Sequence, residues 1–532
     1  MKLRKIRTLL ACLFFVALTL LFLDFTGTLR HCFGWMAKVQ FLPAVLALNV
    51  VVVGLLLVLT LVFGRIYCSV VCPLGVFQDV AARLGRMGRR NPYGYSKEKR
   101  LLRYGVFAVF VVSLVLGFRV IFTLLAPYSS YGRMVQSLFQ PVYELLNNLL
   151  AIGAERADSY VFYQTEVWMR SGIVFAISLI TFFGIGILAF RHGRTYCNTI
   201  CPVGTFLSFF ARFAWFKVAF DTQKCRKCGM CAKNCKAAAI DFKSMKVDYS
   251  RCVVCGDCLD YCKFDSLHYV GRGRQKALQD DVCTERDVRK ATSAQTEKPR
   301  AATERAANAT ERAADAAERA GDAPDSSRRH FLLAAALATT AAATAQKEKK
   351  VDGGMAEIVD KEPCHRKTPV TPPGSLSARN MAARCTSCQL CVAECPNGVL
   401  RPSTDLSTFM QPTMSFERGY CRPECTRCAD VCPAGAIQPI TKAEKTAIHV
   451  GHAVWLKANC VAITDGVECG NCARHCPAGA IVMVPYQAKD GEVMVPAVDE
   501  TRCLGCGACE NLCPARPFSA IYVEGHEVHR KG

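Results

Sequence analysis

The chain has 532 residues, 51% hydrophobic content, 32 cysteines and a formal net charge of +22. The length implies several domains, and so much cysteine calls for metal or disulfide chemistry across much of the sequence. A small disulfide-stapled protein is excluded by the length and by cysteines that fall in tight repeated runs. A nucleic-acid binder is disfavoured because the basic residues flank apolar stretches and fill a linker, with no compact basic face.

Four apolar stretches come first, at 9–25, 41–63, 104–126 and 172–190. Each approaches the roughly 20 residues of a spanning helix, so residues 1–215 are expected to form an α-helical membrane unit with four spans. Lys2, Arg4, Lys5 and Arg7 precede the first stretch as they would in a signal peptide. Only Asp24-Phe25-Thr26-Gly27 follows it, with no small-residue cleavage site, so a retained helix is expected. Arg83, Arg86, Arg89, Arg90, Lys97, Lys99, Arg100 and Arg103 separate stretches two and three. With the basic N-terminus they assign that side to the cytoplasm. The loops 26–40 and 127–171 then face the periplasm, and 138–152 reads as an amphipathic helix lying on the surface.

An internal repeat divides this unit into two related halves. Gly64-Arg65-Ile66-Tyr67-Cys68 through Cys72-Pro73-Leu74-Gly75 returns as Gly193-Arg194-Thr195-Tyr196-Cys197 through Cys201-Pro202-Val203-Gly204. Cys68, Cys72, Cys197 and Cys201 have two readings: redox or metal ligands, or helix-ending turns set by Pro73 and Pro202.

Residues 216–283 read as a two-cluster, bacterial-ferredoxin-like α+β module. Its runs are Cys225/Cys228/Cys231/Cys235 and Cys252/Cys255/Cys258/Cys262, both with C-x2-C-x2-C-x3-C spacing. In such runs three close thiolates grip one [4Fe–4S] cluster and the fourth ligates the other. The expected sets are therefore Cys225/228/231/262 and Cys252/255/258/235. Lys236 and Lys263 stand where proline usually follows the fourth cysteine. Structural zinc is disfavoured, since it does not call for triplets with a distant fourth ligand.

Residues 284–326 are an Ala/Glu/Arg-rich linker with too few large apolar residues for a core. Residues 327–350 carry a twin-arginine-like element, Ser327-Arg328-Arg329-His330-Phe331-Leu332, followed by a mildly apolar run. Residues 351–532 read as a four-cluster module. Its runs are Cys385/Cys388/Cys391/Cys395, Cys421/Cys425/Cys428/Cys432, Cys460/Cys469/Cys472/Cys476 and Cys503/Cys506/Cys509/Cys513. Matched spacing in the outer runs favours nesting, with sets 385/388/391/513, 503/506/509/395, 421/425/428/476 and 460/469/472/432. Sequential pairing of neighbouring runs is the alternative. Six [4Fe–4S] clusters are predicted in all. Cys12, Cys32, Cys283 and Cys364 stand alone and are read as structural or incidental.

On these motifs residues 1–270 resemble the NapH-type membrane ferredoxins, through four spans, two Cys-x3-Cys-Pro-x-Gly motifs and the two ferredoxin runs. Residues 327–532 resemble the NapG and MauM-type ferredoxins, through the twin-arginine element, Pro372-Pro373-Gly374 ahead of Arg384-Cys385, and the four runs. The chain looks like a fusion of the two. The resemblance implies quinol dehydrogenation at the bacterial inner membrane. The two-cluster module would lie in the cytoplasm, the C-terminal module in the periplasm, and the quinone pool and a periplasmic reductase would be the partners.

Arg119, inside stretch three, is the candidate for orienting a quinol headgroup, with snorkelling to the interface as the plainer reading. Asp24, His31 and Glu144 are candidates for accepting quinol protons. The chain has no C-x-x-C-H, no Rossmann fingerprint and no P-loop. The competing class is an iron–sulfur maturation or redox-sensing factor for a partner enzyme. A transporter is disfavoured because the spans carry few polar residues.

Overall fold

The computed structural model describes residues 2–24, 27–87, 93–159, 161–165, 167–275, 359–488 and 491–532. The expected linker 284–326, the twin-arginine segment 327–350 and Cys283 lie outside the described residues.

The N-terminal region is helical. Its first helix, Lys2–Leu23, has 22 residues and a length of about 33 Å at 1.5 Å per residue. Gly172–His192 is the other long apolar helix, started by Ser171, whose side chain accepts from the Val174 amide. Among the described residues these two helices alone are long and apolar enough to cross a membrane.

The expected four-span unit is thereby corrected. Stretch 41–63 breaks into Phe41–Leu46 and Val50–Phe63. Leu48 takes a positive φ of 55°, and Asn49 caps the second piece by accepting from the Val52 amide at 3.2 Å. The remaining 14 residues reach only about 21 Å, short of a hydrocarbon core of about 30 Å. Stretch 104–126 breaks likewise. Arg100–Leu116 stops at Gly117, which is left-handed, and the short helix Arg119–Leu125 follows. Composition made these stretches look continuous, but their backbones turn.

Residues 216–275 and 359–532 are built from short helices and five two-stranded antiparallel sheets. In the first module Phe216–Phe220 pairs with Leu267–Gly271, closing its ends together. In the C-terminal module Ile448–Trp455 pairs with Ile521–Lys531, and Ile481–Ala488 pairs with Gly491–Val498. These pieces are the α+β ferredoxin-like modules the cysteine spacing predicts.

The two modules sit at opposite ends of helix Lys2–Leu23. At its start Arg4 forms ion pairs with Asp257 at 3.2 Å and Asp260 at 2.9 Å, both in the two-cluster module. Just past its end Arg30 lies 3.5 Å from Asp430 of the C-terminal module. One apolar core joins Leu18, Leu21 and Phe22 of this helix to Tyr67, Leu74 and Tyr128, and onward to Leu390 and Val431. Burial of that surface fixes the C-terminal module against the helical region.

Candidate iron–sulfur sites and the path between them

The cysteine loops have a shared backbone form. In Cys225–Cys231, Cys252–Cys258, Cys385–Cys391 and Cys503–Cys509, the residue before the second cysteine is left-handed: Lys227, Val254, Ser387 and Gly505. A second left-handed residue stands two before the third cysteine: Gly229, Gly256, Gln389 and Gly507. Alternating handedness turns successive amides inward as an anion-binding nest. The run Cys421–Cys432, with its lengthened spacing, has no such residue. Fourth cysteines receive amides as well: Ser266 donates to Cys262 Sγ at 3.3 Å, Ile437 to Cys432 at 3.4 Å, Ala480 to Cys476 and Ala520 to Cys513 at 3.3 Å.

The structure gathers the thiols into sets. Burial pushes the Cys231 thiol up to about 11, with Cys225, Cys228 and Cys262 close enough to add to the shift. Cys258 is raised by burial and then by Cys255, Cys235 and Cys252. These are the two sets the spacing predicts, exchanged fourth cysteine included. Helices Met230–Lys233 and Asp257–Asp260, which carry the third cysteines, pack on each other.

The nested arrangement expected for the C-terminal runs is corrected to sequential pairing. Cys385, Cys388 and Cys391 come together with Cys432, and Cys421, Cys425 and Cys428 with Cys395. Cys472 neighbours Cys460, Cys469 and Cys513, while Cys503, Cys506 and Cys509 lie with Cys476. The reason is packing. Helix Leu390–Ala393 lies on Arg427–Val431, and Asn471–Arg474 lies on Ala508–Leu512. The insertions before Cys425 and Cys469 lengthen loops without changing partners.

These donor sets fit [4Fe–4S] clusters. Each offers four thiols, buried or half-buried except for the exposed Cys228, and several receive an amide or the Lys445 ammonium at sulfur. Among the described residues no three His, Cys, Asp or Glu side chains converge tightly enough to hold a single metal ion. In a cubane each thiolate takes a different iron, so its ligands stand apart.

A hydrogen bond joins the two halves of the C-terminal module: the Cys421 amide donates to the Cys506 carbonyl at 2.9 Å. Cys421 also has a buried cation that the sequence did not single out. Lys445 Nζ donates to Cys421 Sγ at 3.2 Å and to the carbonyls of Arg422 and Cys425, both at 2.5 Å.

Cys68, Cys72, Cys197 and Cys201 are all buried and lie within electrostatic reach of one another. Pro73 and Pro202 begin the helices that follow, Pro73–Arg86 and Pro202–Ala211, as first-turn residues. Close backbone approach makes glycine necessary at Gly75 and Gly204. A Cβ there would stand 2.2 Å from the Cys68 carbonyl oxygen and 2.3 Å from that of Cys197.

Buried charge surrounds this group. Arg194 Nε pairs with Asp79 at 2.6 Å, and Asp79 also takes Lys236 at 2.9 Å and Arg7 at 3.0 Å. Burial opposes ionisation of Asp79, but Arg194, Lys236 and Arg7 overcome it and hold its carboxyl well below the usual carboxylate range. Lys236, in the place of the usual proline, thus fastens the two-cluster module to helix Pro73–Arg86. Asp79 was legible only as a lone acid in an apolar context; its three cations come from distant segments.

Other sequence candidates sit elsewhere. Arg119 begins its short helix and donates to the Ala383 carbonyl at 3.2 Å, beside the Cys385 loop. Asp24 accepts from the Gly27 and Leu29 amides at 2.8 and 2.7 Å. His31 is exposed, and Glu144 accepts from Gln140 Nε2 at 2.9 Å. Cys12 and Cys32 are exposed and Cys364 is half-buried.

Comparison with known proteins matches a family model described as a 4Fe-4S binding domain at residues 45–92 and 174–222. One described as a 4Fe-4S dicluster domain matches 384–436 and 467–516. The methylamine utilization ferredoxin-type protein MauM of Methylobacillus flagellatus is 32% identical over 168 residues, covering 29% of this chain and 68% of the relative. The ferredoxin-type protein NapF of Escherichia coli is 27% identical over 160 residues, 30% of this chain and 87% of the relative. Ferredoxin-type protein MauN of Methylobacillus flagellatus is 28% identical over 173 residues, 32% of this chain and 48% of that relative. No solved structure matches the chain.

Proposed function

Because this chain belongs to the MauM family of ferredoxin-type iron–sulfur proteins, we propose that it is a membrane-attached conduit that takes electrons from quinol and delivers them to a redox partner at its C-terminal module. Ferredoxin-type electron transfer through [4Fe–4S] sites is what the relatives and both family models carry. The finer reading joins a NapH-type N-terminal half to a MauM-type carrier in one chain.

A single observation carries it: the two cysteine modules lie at opposite ends of a helix about 33 Å long, with buried thiols and aromatic side chains between them. Helices Lys2–Leu23 and Gly172–His192 would anchor the chain in the bacterial inner membrane. Lys2, Arg4, Lys5 and Arg7 would hold the first module at the cytoplasmic face, leaving the C-terminal module toward the periplasm and a periplasmic reductase. A bound [4Fe–4S] cluster supplies one-electron redox chemistry. The chain supplies its spacing, its amide and lysine hydrogen bonds to sulfur, and its shielding from water.

The test mixes anaerobically purified full-length chain with a reduced menaquinol analogue and follows visible bleaching. Bleaching approaching that given by dithionite supports the quinol reading. Bleaching by dithionite alone would remove quinol as donor and favour a maturation or sensing role.

A further inference from the structure

The two segments matched by the 4Fe-4S binding domain model, 45–92 and 174–222, contain four cysteines between them. Cys68 and Cys72 lie in one, Cys197 and Cys201 in the other. Neither segment alone has the four ligands a cubane takes. We propose that Cys68, Cys72, Cys197 and Cys201 together ligate a seventh [4Fe–4S] cluster, shared by the two halves of the repeat, which connects the two-cluster module to the four-cluster module.

Several observations converge on this site. All four thiols are buried, at 3–4% exposure, and they come from equivalent places in the repeat. Four buried thiolates and their irons need compensating donors, and these are present. Arg65 and Arg194 are fully buried beside the set, and Arg65 Nη2 approaches Cys68 Sγ to 3.9 Å. Gln78 Nε2 donates to Cys197 Sγ at 3.2 Å and the Gly204 amide to Cys201 Sγ at 3.4 Å. Two further buried donors, Arg65 Nε and Arg194 Nη2, have no partner among protein atoms. Spare N–H groups of that kind suit the sulfides of a cluster. A plain helix-ending turn explains Pro73 and Pro202, and the bracing bonds of the arginines explain most of their donors, but neither accounts for the buried, unpartnered Arg65 Nε and Arg194 Nη2.

The site also has a neighbour on each side. Toward the first module, Arg65 Nη1 donates to the Ser250 carbonyl at 2.9 Å, and its charge reaches the Cys252 thiol. Toward the C-terminal module, the buried ring of Tyr67 lies by Cys68, Cys72 and Cys201. Tyr128, within reach of Tyr67, lies by Cys388 and Cys432. Arg133 runs parallel, between Tyr196 and Cys388. One electron would enter from one neighbour as one leaves to the other, with no bond made or broken. This bridging role rests on the electron-transfer reading above; the ligand assignment does not.

The first test is the iron and acid-labile sulfide content of the anaerobically purified wild-type chain. Seven clusters give about 28 irons per chain, and a content of about 24 or less on a fully loaded chain would overturn the proposal. Cys68→Ser and Cys201→Ser should each cost about four irons and one Mössbauer component, while the other components stay. The exposed Cys12→Ser should cost none. Unchanged iron in Cys68→Ser and Cys201→Ser would refute the ligand set, and if those variants fail to fold, the wild-type stoichiometry still decides. About 28 irons with no response to quinol would sink the quinol reading and leave this site standing.

Discussion

Arg65 and Arg194 reach across the internal repeat in opposite directions, each donating to the first cysteine carbonyl of the other copy. Arg65 Nη2 donates to the Cys197 carbonyl at 3.1 Å, and Arg194 Nη1 to the Cys68 carbonyl at 2.5 Å. The duplication visible in the sequence is thus a reciprocal brace holding the two cysteine turns together. Asp79 completes it only on the Arg194 side, so the two halves are not equivalent.

That asymmetry predicts different costs. Arg194→Met removes one of three cations from the buried Asp79 carboxylate as well as the donor to the Cys68 carbonyl. It should destabilise the helical region more than Arg65→Met does, though by less than the roughly 3–5 kcal/mol of a charge left with no partner, because Lys236 and Arg7 remain. Arg65→Met orphans backbone carbonyls and should cost about 1–3 kcal/mol. Thermal unfolding of the two variants in one detergent measures the difference; equal losses would show that Asp79 is not the reason Arg194 matters.

Gly132 lies on helix Pro127–Met134, where a Cβ would stand 2.3 Å from the Cys388 carbonyl oxygen. Gly132→Ala should push the Cys388 loop away at a cost of about 1–3 kcal/mol. It should also raise hydrogen exchange at residues 385–391. Gly34, inside helix Arg30–Lys38, has open space around it, and Gly34→Ala should be neutral or stabilising by up to about 1 kcal/mol. If both changes behave alike, the close contact is not real.

How much of this was legible in the sequence depends on how local each feature is. The ferredoxin runs could be read because in four of the six, three ligands fall within seven residues, as in Cys225–Cys231. The C-terminal pairing could not, because Cys432 meets Cys385 only through packing of the helices that carry Cys391 and Cys428. The spans were over-read for a related reason: Asn49 capping and the left-handed Gly117 end helices that apolar composition would continue. Arg119 was read as an intramembrane charge. Its carbonyl partner, Ala383, is 264 residues away.

Lys445→Met should lower the reduction potential of the Cys421/425/428/395 set. Reduction adds negative charge, which the lysine stabilises through its bond to Cys421 Sγ. A charge-assisted hydrogen bond of about 1.5–3 kcal/mol corresponds to a fall on the order of 60–130 mV for one electron. An EPR-monitored redox titration reads it, and an unmoved potential would free Lys445 from any tuning role.

His529 makes the C-terminal module sensitive to mild acid. Burial, then His526, pushes its imidazole down to about 4, and Thr371 Oγ1 lies 2.9 Å from Nε2. The folded pKa lies below the unfolded value of about 6.5, so this contribution is complete above 6.5 and is lost as pH falls toward 4. The loss should reach at most about 3 kcal/mol, less for the residual exposure. His529→Asn should flatten the fall in melting temperature between pH 7 and pH 5. An unaltered fall would place the acid sensitivity elsewhere.

The central claim is that both cysteine modules lie on one electron path. Rapid-freeze EPR of the full chain after mixing with reduced menaquinol analogue tests it most directly. The account predicts reduced-cluster signals from both modules within the same reaction, including the Cys421 set identified by its shift in Lys445→Met. Reduction confined to one module, with the other remaining oxidised although dithionite reduces it, would contradict the path.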